Sequence, residues 1–93
     1  METIWKYNVA VDDEQALLVP KGSKLLSVKE QYGNLVAYVL VGKGIKETTT
    51  INLRIFGTGH PIDINTTDEW KYLDTVMTNK GELVWHIFYK NGV

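Results

Sequence analysis

The chain has 93 residues, 44% of them hydrophobic and 23% charged, with ten basic and eleven acidic side chains for a formal net charge of -1. That is chain enough for one compact domain over residues 1–93, burying roughly 65% of the surface its unfolded form exposes, and too little for a second core; the apolar content excludes disorder and the even charge excludes a basic footprint for duplex nucleic acid. There is no cysteine, which removes disulfide frameworks and thiolate metal sites and fits a reducing cytosol.

In chain order, Ile4 to Val9 alternates, with Trp5, Tyr7 and Val9 on one face and Ile4, Lys6 and Asn8 on the other, the period of a half-buried strand. The N-terminal Met-Glu-Thr-Ile-Trp-Lys has no signal-peptide shape, so a cytoplasmic protein is expected. After an acidic turn at Asp12-Asp13-Glu14, Gln15 to Val19 reads as an edge strand stopped by Pro20, whose missing N–H cannot join a central ladder. Lys24 to Gln31 forms the third strand, with Leu26 and Val28 pointing one way and Ser27 and Lys29 the other. A turn at Tyr32-Gly33-Asn34 leads into Leu35 to Val41, apolar on both faces as a doubly covered central strand would be. That run of seven is far short of the roughly 20 residues needed to span a bilayer. Because so small a domain has little material with which to cover two faces, a homo-oligomer is expected.

Glu47 to Phe56 gives a fifth strand, with Ile51, Leu53 and Ile55 on one face and Arg54 on the other. Asp63 to Asp68 is polar and irregular, a loop that packs Trp70, with at most one helical turn starting at Thr67. Tyr72 to Thr78 and Glu82 to Tyr89 close the chain as a hairpin, with Leu83, Trp85, Ile87 and Tyr89 on one face and Val84, His86 and Phe88 on the other. Seven short strands and no sustained helical period predict an all-β fold, a compact antiparallel sandwich or partly open barrel. Trp5, Leu26, Val28, Val39 and Trp85 are expected to share its core.

The chemically unusual stretch is Leu53 to Ile62, where a strand runs into Gly57-Thr58-Gly59-His60-Pro61. Arg54 is the only arginine and His60 one of two histidines. Glycines allow positive φ, and successive N–H groups in such a turn can form a nest for an anion, with the arginine fork adding charge-assisted bonds to a phosphate or carboxylate. The alternative is a strand-ending turn, with Arg54 solvated or paired to an acid such as Glu47. The candidate ligand-binding residues are Arg54, Phe56, Gly57, Thr58, Gly59, His60 and Trp70, the last taken as the most exposed tryptophan because it lies on irregular chain. The stretch is neither a Walker loop nor a dinucleotide fingerprint. His60 and His86 have no ligands at metal-site spacing, and no nucleophile elbow is present, so neither catalysis, metal nor cofactor is expected.

Thr3-Ile4-Trp5-Lys6-Tyr7, Val19-Pro20-Lys21-Gly22-Ser23-Lys24-Leu25-Leu26-Ser27-Val28, Arg54 to Ile62 and Leu83-Val84-Trp85-His86-Ile87-Phe88 together resemble a family of small uncharacterised proteins encoded by phages and prophages. The resemblance covers nearly the whole chain. It implies an accessory phage protein made in a bacterial host, of a size and type that commonly counters host defence. Two expectations follow: a binding module that sequesters a small phosphorylated, nucleotide-like ligand, or an interaction protein that inhibits a host defence protein or nucleic-acid complex by direct binding.

Overall fold

The structure is a computed structural model that describes residues 1–65 and 69–92. Seven strands form: β1 (Glu2–Val9), β2 (Glu14–Pro20), β3 (Lys24–Gln31), β4 (Asn34–Gly42), β5 (Thr48–Gly57), β6 (Lys71–Thr78) and β7 (Leu83–Asn91). They make two antiparallel sheets, ordered β1-β4-β3 and β2-β5-β7-β6, so the all-β sandwich is the architecture and no helix occurs among the described residues. No helix there is long and apolar enough to cross a membrane. The helical turn expected to begin at Thr67 lies outside the described residues.

Turn chemistry fixes the hairpins. Tyr32 and Gly33 both take positive φ, 53° and 85°, the backbone that matches a two-residue hairpin loop to the twist of β3 and β4. Pro20 ends β2, which is an edge of its sheet, and β4 is the centre of the other, both as the sequence implies. Leu35, Ala37, Val39 and Val41 of β4 face Leu17 and Val19 of β2, Ile51, Leu53 and Ile55 of β5 and Ile87 of β7 in one buried core. On the other side of β4, Val36 is buried and Tyr38 and Leu40 are half-buried within the single chain. The long side chains of flanking strands, such as Lys6 opposite Tyr38 and Lys29 opposite Val36, stand beside them.

Two core assignments need correction. The register of β3 against β4 shifts between Leu25 and Ser27, a bulge that reverses the phase of the strand. Leu25 therefore joins Val28 in the core and Leu26 is 44% exposed. Trp5 pairs with Val39 and so faces inward, but β1 is the sheet's edge and Trp5 remains 50% exposed. Val28 and Val39 are fully buried, and Trp85 packs partly buried against the same core while donating its indole N–H to Thr78 Oγ1 at 2.9 Å.

Candidate functional site

The strand β5 delivers Ile51, Leu53 and Ile55 to the core and, by the alternation of side chains, turns Arg54 and Phe56 to the outer face of its sheet. There Phe56 meets Phe88 of β7 edge to face, ring centroids 5.9 Å apart, and both pack on Trp70 with Ile64 alongside. Trp70 is 8% exposed, not the open aromatic expected from its irregular surroundings. The indole lies over the outer face of the sheet on Phe56 and Phe88, with Lys90 Nζ 4.8 Å from its ring centroid. Trp70 thus supports the floor of the region from a buried position.

Arg54 lies on this floor with its guanidinium 5.1 Å from the Phe56 ring centroid and its side chain only 17% exposed. Its Nε–H donates to the Asp13 carbonyl at 3.0 Å and Nη2 donates to Asp63 Oδ1 at 2.8 Å. Its acid partner is Asp63, nine positions along the chain; Glu47, the partner considered from sequence, pairs instead with Lys21. Asp13, Arg54, Ile55, Phe56, His60, Pro61 and Asp63 line an open groove of about 440 Å³.

The turn that closes β5 commits two of its amides to the protein itself. His60 N–H donates to the Gly57 carbonyl at 3.1 Å and Gly59 takes φ +90°, the geometry of a type II turn with glycine at its third position. Thr58 N–H donates to the Val84 carbonyl, prolonging the β5–β7 ladder. Those two amides are therefore engaged within the protein. Gly57 is required for a different reason: a Cβ there would lie 2.9 Å from His60 Cε1, so the imidazole rests on the bare backbone. His60 lines the Arg54 groove and also a second one of about 210 Å³ shared with Gly57, Thr58 and the 82–85 segment. The candidates are thereby divided, with Arg54, Phe56 and His60 in one groove, Gly57 and Thr58 in its neighbour, and Trp70 beneath.

His86, weighed from sequence as a metal or acid–base partner of His60, is occupied elsewhere. Its Nε2 is 2.7 Å from Thr58 Oγ1 and its Nδ1 is 3.0 Å from Thr75 Oγ1, which also meets the Tyr72 hydroxyl. Hydroxyls can donate or accept, so this chain is satisfied with the ring in either tautomer. Among the described residues no three His, Asp or Glu side chains converge as a metal site. The contribution that sequence reading missed is the loop acid: Asp63 opens a stretch legible only as polar and irregular, and nothing in its spacing announces that the path after Pro61 returns it to Arg54.

No curated protein and no solved structure matches this chain. A family described as a domain of unknown function, DUF7352, matches it over residues 1–93, and the chain belongs to that family.

Proposed function

We propose that the chain is a non-catalytic binding module that captures a small anionic, nucleotide-like ligand in the groove beside Arg54. The observation that carries this reading is the state of Arg54: its guanidinium lies against an aromatic ring and holds a carboxylate, and that carboxylate comes from Asp63, a side chain 71% exposed on a loop. An ion pair whose carboxylate stands in solvent is worth roughly 0.2–1 kcal/mol. A ligand phosphate or carboxylate that engages the fork with two nitrogens displaces it on better terms. The groove also holds Asp13, with Asp12 and Glu14 beside it in sequence, so affinity depends on replacing Asp63 at Arg54 and not on bulk attraction of anions. His60 and Pro61 form the exposed wall against which the rest of the ligand lies. In the bacterial cytoplasm implied by the phage-family resemblance, capture without turnover sequesters a nucleotide signal of host defence.

The second reading, a protein that inhibits a host defence protein or nucleic-acid complex, is favoured by a largely apolar cleft of about 250 Å³ whose lining includes Met1, Trp5, Pro20, Val41 and Ile45. Heat extraction of purified protein separates the two: a released nucleotide supports capture, and none supports masking. Calorimetry against cyclic and ADP-ribose-like nucleotides should then find Arg54→Lys weakened roughly tenfold to hundredfold, since an ammonium cannot reproduce a planar fork. His60→Ala should weaken binding as well, with melting temperatures confirming that both variants fold. If the wild type binds none of the panel and carries no ligand, Arg54 and its turn are structural.

A further inference from the structure

The strand β1 is a free edge, and its exposed side has a pattern of its own. Lys43 N–H donates to the Met1 carbonyl at 2.9 Å, which makes Met1 and Lys43 a hydrogen-bonded pair of the β1–β4 ladder. Hydrogen-bonded and non-bonded pairs alternate in antiparallel sheets, so Thr3, Trp5, Tyr7 and Val9, opposite Val41, Val39, Ala37 and Leu35, also turn their backbone groups toward β4. Glu2, Ile4, Lys6 and Asn8 are left with N–H and C=O groups pointing off the sheet. Their side chains share its outer face, where Ile4 is 56% exposed.

From this we infer that β1 is a self-pairing edge, whose partner is the β1 strand of a second copy of the chain, antiparallel about a two-fold axis, with Ile4 opposite Ile4 and Glu2 opposite Lys6. Only residues whose backbone groups both point outward can exchange bonds across such a junction, and this register brings Glu2, Ile4 and Lys6 together with their like. It also sets two opposite-charge pairs on one face, related by the axis, around an apolar centre. Sliding by two residues one way opposes Ile4 with Lys6 and Glu2 with Asn8, which loses both charge pairs. Sliding further that way opposes Lys6 with Lys6, and sliding two residues in the reverse direction opposes Glu2 with Ile4. Charge complementarity thus selects one register and selects the chain itself as the partner. Joining β1 to its copy merges the two β1-β4-β3 sheets into one and adds cover to Ile4 and Trp5. Lys6 Nζ, which lies 3.3 Å from Gln31 Oε1 at the surface, exchanges that amide for a carboxylate. This pairing is independent of the Arg54 groove.

Sedimentation of the full chain at micromolar concentration should show a dimer. Glu2→Lys and Lys6→Glu should each weaken it on the order of tenfold by setting like charges opposite one another, and the double variant should restore it. Ile4→Pro removes an outward N–H that β4 does not use, so it should give a monomer whose far-UV spectrum and melting are those of a folded sandwich. A wild type that sediments as a monomer, which would make Lys6 a guard against edge pairing, overturns the inference. So does a dimer indifferent to charge reversal, or one that survives Ile4→Pro.

Discussion

Exchanging leucine for alanine at two adjacent positions of β3 gives opposite results if the strand is bulged and the reverse order if it alternates regularly. Leu25 is 8% exposed among Val28, Val39 and the rest of the main core, whereas Leu26 is 44% exposed beyond the register shift. Leu25→Ala removes three buried carbons and leaves a cavity, a change that costs about 2–5 kcal/mol; a site on an edge strand can partly collapse, so about 2–3 kcal/mol is expected. For a domain of this size each kcal/mol moves the melting temperature by about 4–8 °C, giving a fall of roughly 10–20 °C. Leu26→Ala removes a side chain that is half in water already and should cost no more than about 1 kcal/mol. Thermal and urea unfolding of both variants, followed by circular dichroism, decide the matter. Should Leu26→Ala prove the more damaging, the bulge is misplaced and the core face of β3 is the one its simple alternation describes.

Trp70→Ala should cost roughly 3 kcal/mol, because the indole is a wall of the Phe56–Phe88 cluster, and the loss would be read in the same unfolding experiments; an unchanged midpoint would return Trp70 to the surface. Burial raises the Tyr7 hydroxyl above its ordinary pKa of 10.0. The folded state therefore holds that proton more tightly than the unfolded chain, and the stabilisation is full below about pH 10 and is lost as pH rises through the folded value. Tyr7→Phe should flatten that alkaline decline relative to wild type, and parallel pH profiles of unfolding would contradict the burial of the hydroxyl.

Period-two alternation and turn residues made most strands and both edge and centre assignments legible, because those signals are local and each strand of a sandwich faces one core. Leu26 escaped because a bulge inserts one residue and inverts the phase without changing composition. Trp70 escaped because irregular chain has no period from which burial can be read; its place depends on Phe56 and Phe88, brought from other strands. In the candidate site, Arg54 and His60 were singled out by their rarity and Phe56 by its place between them, and all three line one groove. The Gly57-Thr58-Gly59 turn was read for its freedom, yet the Thr58 amide serves the β5–β7 ladder, the His60 amide closes the turn, and Gly57 is bare to admit the His60 ring. Asp63 was hidden because the loop path that carries it back to Arg54 is set by tertiary packing.

The most direct measurement is calorimetric titration of the wild type and Asp63→Asn with the same nucleotide panel. If Asp63 occupies Arg54 in place of a ligand, removing its charge frees the fork, and the variant should bind up to about fivefold more tightly, the worth of an ion pair whose carboxylate stands in solvent. Weaker or unchanged affinity in Asp63→Asn would contradict the displacement of Asp63 as the basis of binding.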